Sequence, residues 1–335
     1  SPLWSVGGAW DISKEDFFNI VLLPKLKLRA TYGYNGNVRN DIAAVTTLKH
    51  YGLSRLGRYP YAAVMNPPNS ELRWEKIRTL NLGIDFSLVN NIISGSIEYY
   101  DKRSTDLLSL VTSDPTTGFG SLTLNSAVVS NRGIDLNLNS NLNAGYFGWS
   151  GTFLASLNRN RVVEYLREPT RFSQWVGNGG TVSPIVGEPA YTIVSYRFGG
   201  LDPQTGDPIG YLNGEKTKDY RALIQQAAKD DLKFHGSALP EFFGAFRNTF
   251  SWKNFSASFN VTYRTAYYFR RQTINYSHVL TINGEAGHGD FTDRWQKPGD
   301  ELRTTVPSMT YPADSKRDEM YRDSEATVER GDHIR

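Results

Sequence analysis

The strongest constraint on the fold is a strict alternation of apolar and polar residues along several segments. From Thr79 to Leu88, one set of alternate positions holds Leu, Leu, Ile, Phe and Leu, and the other holds Thr, Asn, Gly, Asp and Ser. Successive side chains of a strand point to opposite faces, so this pattern predicts β-strands with one apolar and one polar face. The pattern predicts about eight strands, at 3–11, 26–34, 79–88, 93–102, 134–141, 149–158, 242–252 and 255–264.

The connections between these strands alternate in length. Tight turns are predicted at Asn90-Asn91, 143–146 and Lys253-Asn254. Long connections are predicted at 35–73, 108–129, 161–240 and from Arg270 onward. Compact domains mostly join their strands with loops of about 4–6 residues. Short turns that alternate with long loops are typical of outer-membrane barrels, which face lipid with apolar side chains and the lumen with polar ones.

Aromatic rings cluster near both ends of the predicted strands. An amphipathic ring is stable at headgroup depth, so barrels carry aromatic girdles at both membrane interfaces. We assign to a lipid-facing girdle Trp149, Trp252, Phe255, Tyr263 and Tyr267. Rings in a soluble β-core also pair across strands, so the rings alone leave both interpretations open. The loop alternation and the polar second face favour the barrel.

The bulk composition of the 335 residues is that of a soluble protein, with 39% apolar residues and a mean hydropathy of -0.45. A barrel hides its apolar face in every second residue, so an average over lumen and loops dilutes it. No apolar run approaches the ~20 residues of a membrane-spanning helix. The net charge of +3 is too balanced for a nucleic-acid scaffold, and the absence of cysteine excludes disulfides, cysteine-ligated zinc and thiol nucleophiles.

Several motifs follow one another along the chain: Leu26–Gly33 with Asn35-Gly36-Asn37, Asn69–Lys76 with Asn81–Phe86, Tyr99–Arg103 with Asp106-Leu107-Leu108, Asn131–Asp135, Gly200–Pro203 with Thr205–Pro208, Arg294-Trp295 and Gly331–Arg335. In this order they resemble the SusC/RagA family of TonB-dependent outer-membrane transporters. The resemblance implies an all-β fold, a transmembrane antiparallel β-barrel of about 22 strands with long extracellular loops. Residues 1–335 would form the C-terminal portion of that one barrel domain and supply about eight or more of its strands. The plug domain and the last strands are expected to lie outside this chain.

The resemblance also implies a function and a location. The protein would be an active importer of oligosaccharides or oligopeptides in the outer membrane of a Gram-negative bacterium. Its expected partners are a SusD-like surface lipoprotein that lids the barrel, TonB through the missing N-terminal region, and outer-membrane lipid. Nucleic acid, a cofactor and enzymatic activity are not expected. Two alternatives remain: a soluble or surface glycan-binding β-module, whose tight turns would not segregate to one end of the sheet, and a barrel component of a larger secretion or surface assembly.

Candidate substrate-binding residues lie in the longest predicted loop: Trp175, Tyr191, Tyr196, Tyr211 and Arg197. Exposed rings stack on sugars or hold peptide side chains, whereas packing within the loop is the alternative. A basic set predicts attraction of anionic ligands or of lipid headgroups, and comprises Arg167, Arg171, Arg197, Arg270 and Arg271. One helix is predicted at 222–233, where Leu223, Ala227 and Leu232 share a side, and is expected to pack on the barrel rim.

Metal and hydrolytic chemistry have weaker support in the sequence. Asp202 and Asp207 could bind calcium in an extracellular loop, but a turn organised by Asx hydrogen bonds explains their spacing more simply. The five histidines form no helical metal-binding pair, although Asp290 follows His288 closely, and no metal site is expected. Glu98 and Asp101 have opposite parity in one strand, which excludes them as a matched pair of glycosidase carboxylates.

Overall fold

A computed structural model describes residues 3–37, 44–112, 114, 116, 118–166, 171–177, 179–180, 182, 184–279 and 288–335. The strands are β1 Trp4–Asp11, β2 Lys25–Asn37, β3 Thr47–Leu53, β4 Pro60–Asn66, β5 Glu75–Ser87, β6 Ile93–Thr112, β7 Ser121–Ala144, β8 Phe147–Tyr165, β9 Thr192–Tyr196, β10 Phe198–Leu201, β11 Pro208–Leu212, β12 Glu215–Thr217, β13 Leu232–Ser237, β14 Phe242–Trp252, β15 Phe255–Thr265, β16 Tyr268–Arg270, β17 Val328–Arg330 and β18 His333–Ile334. The α-helices are α1 Tyr220–Gln226, α2 Tyr276–Val279 and α3 Ser315–Arg322. Within the described ranges, no helix combines the length and the apolar character needed to cross a membrane.

The chain forms two compact units, one of residues 1–167 and 245–260 and the other of residues 168–244 and 261–335. In the first unit, one sheet has the strand order β1, β2, β5, β6, β7, β8, β14 and β15. Neighbouring strands from β1 to β8 are antiparallel, and β3 and β4 form a separate hairpin. All of the strands predicted from the alternation are confirmed.

The apolar face of this sheet is exposed. Through the strand register, Ala30, Leu82, Tyr99, Ile134 and Leu157 form one row across the sheet. Large apolar side chains on this face are between 40% and 61% exposed: Val6, Trp10, Leu82, Ile84, Ile97 and Ile134. A soluble sheet buries its apolar face, whereas an apolar surface this extensive indicates contact with another apolar phase.

The tight turns lie at one end of this sheet. They join β5 to β6 at 88–92, β7 to β8 at Gly145-Tyr146, and β14 to β15 at Lys253-Asn254. The connection from β2 to β5, which contains the β3–β4 hairpin, leaves from the opposite end. This segregation confirms the alternation expected of a transmembrane barrel.

The predicted long connection at 108–129 is wrong, because β6 and β7 continue through most of it. β6 runs to Thr112 and β7 begins at Ser121. The pairing of these strands shifts register between Ser104 and Leu107 and again before Leu108, and Asp106 has a φ of 57°. A β-bulge reverses the parity of the residues that follow it, so a strict period of two ends there although the strand does not.

The second unit has its own hydrophobic core: Ile185, Val194, Tyr196, Tyr220, Leu223, Ala227, Leu232 and Met320. Small sheets pair β9 with β13 and β16 with β17, and a third has the strand order β10, β11, β12. The end of β15 pairs with β18. The long connection 161–240 is therefore largely folded rather than an irregular loop.

The helix predicted at 222–233 is shorter than expected and lies at 220–226. The side chain of Asp219 caps its N-terminus by accepting a hydrogen bond from the Ala222 amide, and Ala227 is already non-helical. Asp231 accepts hydrogen bonds from the amides of Ala228 and Gly214, and Leu232 then begins β13. Leu223, Ala227 and Leu232 all reach the core, as the spacing predicts, but they do so through a helix, a turn and a strand.

Candidate functional site

The polar face of the first unit's sheet carries an ion-paired cluster. The Arg29 guanidinium donates to both carboxylate oxygens of Asp85, at 2.8 and 2.9 Å, and to Glu98 Oε1 at 2.7 Å. Gly83 lies between Arg29 and Glu98 in the register, and a Cβ on Gly83 would come within 3.2 Å of Arg29 Cζ. The missing side chain lets the arginine lie flat across the strand and reach both acids. Sequence parity placed Glu98 on this face, but nothing in the sequence joined it to Arg29.

Six asparagines lie around this cluster on the same face: Asn81, Asn131, Asn137, Asn139, Asn158 and Asn160. Asn139 donates to Asn137 at 3.1 Å and accepts from the Thr152 hydroxyl at 3.0 Å. Further along, a groove of about 570 Å³ is lined by Thr152, Arg247, Ser258 and Asn260, among others. Amides and hydroxyls both donate and accept hydrogen bonds, so this face can bind neutral polar groups such as sugar hydroxyls and peptide bonds.

Tyr100 lies on the polar face directly across Gly133. The two residues are register partners in β6 and β7, and a Cβ on Gly133 would overlap both the Tyr100 ring and the Leu157 carbonyl oxygen. Asp101, the next residue, is on the apolar face and pairs with Arg78 and Arg132. The exclusion of Glu98 and Asp101 as a catalytic pair therefore agrees with the structure.

The predicted substrate-binding residues fall into two groups. Tyr196 is 3% exposed within the core of the second unit, and burial raises the pKa of its hydroxyl. Trp175 packs on that core, with its ring centroid 5.0 Å from Phe172 and 6.1 Å from Phe234. These two rings support the fold, so Tyr196 in particular is not the exposed ring that the prediction required.

The other three candidates are more accessible. The Arg197 guanidinium lies 5.1 Å from the centroid of the Tyr211 ring, and Arg197 is exposed. Tyr191 is half-buried, and its backbone carbonyl accepts from the Ala238 amide. The structure thus brings Arg197 and Tyr211 together, and their contact with a ligand stays a prediction.

Within the predicted basic set, Arg270 has a structural role. Its side chain is 8% exposed and donates to the carbonyls of Arg322, Ser324 and Val194 and to the Thr327 hydroxyl. Arg271 pairs with Asp290 at 3.0 Å and with Glu329 at 3.3 Å. Arg171 is exposed, and Arg167 lies outside the described residues. The expected attraction of ligands is wrong for Arg270, because its donors are used to hold separate segments of the second unit.

Asp202 and Asp207 belong to a turn held by hydrogen bonds within the chain. Asp202 accepts from the amides of Gln204 and Thr205, and Lys218 donates to it at 2.8 Å, which together lower the pKa of Asp202 to about 2. Asp207 pairs with Arg317 at 2.8 Å. The two amide hydrogen bonds to Asp202 are those of the Asx turn that the sequence predicts, and each carboxylate also has a cationic partner from the protein.

The second unit also contains a polar cavity of about 610 Å³ that the sequence did not reveal. Three arginines and three aspartates line it: Arg271, Arg294, Arg303, Asp290, Asp293 and Asp300. Burial raises the pKa of Asp290, but hydrogen bonds from Thr273 and Arg271 outweigh it and lower the pKa overall. His288 accepts a hydrogen bond from the Asp290 amide at 3.2 Å, so it caps the turn. Five of these residues lie within 290–303, and Arg271, which follows β16, joins them only through the fold.

The predicted girdle residues occupy different environments. Trp252 and Phe255 flank a tight turn and are 58% and 73% exposed. Trp149, also near a tight turn, donates from Nε1 to Asn248 Oδ1 at 3.1 Å. In the second unit, the ring centroids of Tyr263 and Phe242 are 5.2 Å apart, and the Tyr267 hydroxyl oxygen lies 3.2 Å from His333 Nδ1. Lipid contact by these five residues stays a prediction.

Comparison with known proteins agrees with this architecture. Residues 1–183 match the family model described as TonB dependent receptor-like, beta-barrel. TonB-dependent receptor P26 of Formosa agariphila is 30% identical over 92% of this chain and 33% of its own length. TonB-dependent receptor SusC of Bacteroides thetaiotaomicron is 29% identical over 48% of this chain and 17% of its own length. The structure of the RagAB peptide transporter matches with a TM-score of 0.73 and 21% identity, covering 99% of this chain and 35% of that one.

The chain belongs to the TonB-dependent receptor β-barrel family. It is an all-β, outer-membrane protein of a receptor and transporter class, not of an enzyme class. The chain spans about a third of the length of the first two curated relatives it matches. Its placement as the C-terminal portion of the barrel stays a prediction. The segregated tight turns contradict the alternative of a soluble glycan-binding module.

Proposed function

We propose that this chain forms part of the wall of an outer-membrane importer that takes up oligosaccharides or oligopeptides. The observation that carries the proposal is the division of one sheet into an exposed apolar face and a polar face with paired charges. The apolar face suits contact with lipid, and the polar face suits a solvated path through the barrel. The function proposed is passage rather than chemistry, in keeping with the receptor family to which the chain belongs.

The polar face suits a strongly hydrogen-bonding cargo. Arg29 is paired with Asp85 and Glu98, and the other side chains of this face are mainly amides and hydroxyls, with Asp135 beside Glu98 in the register. Sugar hydroxyls and peptide bonds both match such a surface, because each can exchange hydrogen bonds with Asn and Thr. The similarity to SusC and to the RagAB peptide transporter supports nutrient import and is compatible with either class.

We propose further that import depends on TonB and on a SusD-like surface lipoprotein. The support is the family itself, whose name includes TonB, and the resemblance of the motifs to SusC/RagA proteins. The lipoprotein would capture the cargo and close the barrel from outside. A bound cofactor has no part in this proposal.

Growth and uptake measurements test the proposal. A strain lacking the intact receptor should lose uptake of one labelled oligosaccharide or oligopeptide pool, and disruption of TonB should cause the same loss. Re-expression of the receptor should restore uptake only when TonB is present. Uptake that persists without TonB, or a deletion strain that imports every oligomer normally, would contradict the proposal. Affinity purification of the receptor from these cells would show whether a surface lipoprotein accompanies it.

A further inference from the structure

The groove of about 570 Å³ on the polar face lies within the first unit, close to two tight turns. Its lining comes from β8, β14 and β15. Thr152 follows the turn at Gly145-Tyr146 closely in β8, and Ser258 follows the turn at Lys253-Asn254 closely in β15. Tight turns lie at the periplasmic end of an outer-membrane barrel, so the groove belongs to the last part of a path into the cell.

Arg247 gives this groove a positive charge that has no anionic partner. It is exposed, and among the residues described its guanidinium forms neither an ion pair nor a hydrogen bond. Of the acidic residues on this face, Asp85 and Glu98 pair with Arg29 on the other side of the sheet. Asp135 belongs to β7, two strands away from Arg247 in the sheet order. The guanidinium therefore keeps its whole fork of N–H donors for a ligand.

Leu154 places an apolar side chain in the same groove, where the alternation calls for a polar residue. Leu154 faces Asn137 in the register and Thr152 faces Asn139, so both side chains belong to the polar face. Leu154 is 43% exposed, and Ala245 adds a second apolar side chain to the lining. Apolar walls with a few polar groups are typical of ligand sites, and they match a ligand that has an apolar side chain of its own.

Ser258 and Asn260 supply hydrogen-bonding groups on the β15 side of the groove. Both are exposed, and their side chains form no hydrogen bond with any residue in the described part of the chain. The Thr152 hydroxyl, by contrast, already donates to Asn139 at 3.0 Å. A hydroxyl and an amide each donate and accept, so Ser258 and Asn260 can bind both the N–H and the C=O of a peptide bond.

We propose that this groove binds the C-terminal residue of an oligopeptide, with its carboxylate on Arg247 and an apolar side chain on Leu154 and Ala245. The inference rests on the proposed function and narrows the cargo to peptides. Guanidinium and carboxylate groups form planar pairs joined by two hydrogen bonds. A neutral oligosaccharide would leave both the charge of Arg247 and the apolar surface of Leu154 unmatched.

Binding of short peptides to the intact receptor in detergent tests the proposal by titration calorimetry. The probes are the peptide Ala-Ala-Ala-Leu, its C-terminal amide, and maltotetraose. The free acid should bind about tenfold more tightly than the amide, because a hydrogen bond to a charged group is worth about that factor or more. Arg247→Gln should weaken binding of the acid to the level of the amide and leave the amide unchanged. Leu154→Asn should weaken both peptides and leave the ratio between them intact.

The matched control is Arg161→Gln, which removes an exposed arginine from the other face of β8. It should bind all three probes as the wild type does, and a folded, heat-modifiable gel band would show that each variant is intact. Equal binding of acid and amide, an unchanged Arg247→Gln, tighter binding of maltotetraose, or no peptide binding at all would each overturn the proposal.

Uptake by cells separates this inference from the proposed function. Cells that carry Arg247→Gln should import the labelled peptide more slowly than cells with the control variant. TonB-dependent import that is equally fast in both would contradict the peptide site alone. Uptake that is independent of TonB would contradict the proposed function, whatever the calorimetry shows.

Discussion

The guanidinium of Arg317 donates from Nε to Asp207 Oδ1 at 2.8 Å, across 110 residues of sequence. Its Nη2 also donates to the carbonyl and the hydroxyl of Ser308, at 2.8 and 3.0 Å. Only 3% of the Arg317 side chain is exposed. This one residue therefore ties helix α3 to the turn that Asp202 begins.

Removal of the charge on Asp207 should destabilise the second unit. In Asp207→Asn the buried guanidinium of Arg317 loses its anionic partner, and breaking a buried pair in this way costs about 3–5 kcal/mol. Hydrogen exchange of the amides in 206–210 and 315–322 should report faster opening. Lys316→Ala is the matched control, because its pair with Glu319 on the same helix is largely exposed and contributes at most about 1 kcal/mol. Equal effects of the two variants would refute the assigned role.

Acidic pH should destabilise the second unit through His235. Its Nε2 lies 2.6 Å from the Ser195 hydroxyl, and burial lowers the pKa of His235 to about 4. An unfolded histidine titrates near 6.5, so between about 6.5 and 4 the unfolded state binds more protons than the folded state. This contribution to stability is complete above pH 6.5 and is lost as the pH falls towards 4. It amounts to about 1–2 kcal/mol after allowance for the partial exposure of the ring.

The measurement is the melting temperature of the receptor between pH 7.5 and 4.5. His235→Gln removes the titrating group and should flatten the decrease of that temperature with pH. If the melting temperature depends on pH equally in the wild type and the variant, groups other than His235 cause the loss of stability at acidic pH.

Gly133→Ala should disrupt the polar face of the sheet. The added Cβ would overlap the Tyr100 ring and the Leu157 carbonyl, so the expected loss is about 1–3 kcal/mol, as for other overpacked sites. Gly8→Ala is the matched control, because no atom lies within 4 Å of the position of its Cβ. Unfolding in urea should separate the two variants. If both variants unfold at the wild-type urea concentration, the close packing of Tyr100 on Gly133 does not contribute to stability.

Trp149→Phe should destabilise the sheet through Asn248. Asn248 is 3% exposed on the apolar face, and its side-chain oxygen accepts from Trp149 Nε1. Loss of the donor leaves a buried acceptor unpaired, at a cost of about 1–3 kcal/mol. The double variant Trp149→Phe/Asn248→Leu removes both polar groups and should recover most of the stability. A thermal melt in detergent distinguishes the three proteins, and a double variant less stable than Trp149→Phe would contradict the coupling.

The strands of the first unit could be predicted from the sequence because their two faces contact different media. Leu82 lies on the apolar face and is exposed, whereas its neighbour Gly83 lies on the polar face and is buried. The alternation of residue types in the sequence follows this alternation of faces. The continuation of β6 past Asp106 could not be predicted, because the bulges there break the parity without ending the strand.

The site and the second unit depended on contacts that a linear pattern does not contain. Glu98 was placed on the correct face by parity, but its pairing with Arg29 needs the register of three strands. Arg270 holds backbone carbonyls more than 50 residues away in sequence, so it resembled a surface arginine in the sequence. The sequence around Tyr196 and Trp175 likewise does not indicate the core in which Tyr196 is buried and on which Trp175 packs.

The exposed apolar face has a consequence for how this sheet can change over time. Lipid is a fluid with no fixed shape, so Leu82, Ile97 and Ile134 need only remain apolar, and exchanges among aliphatic side chains there should leave the fold intact. Arg29 and Tyr100 on the other face fit specific neighbours and have no such freedom. Two surfaces of one sheet, a few ångströms apart, are therefore expected to diverge at different rates.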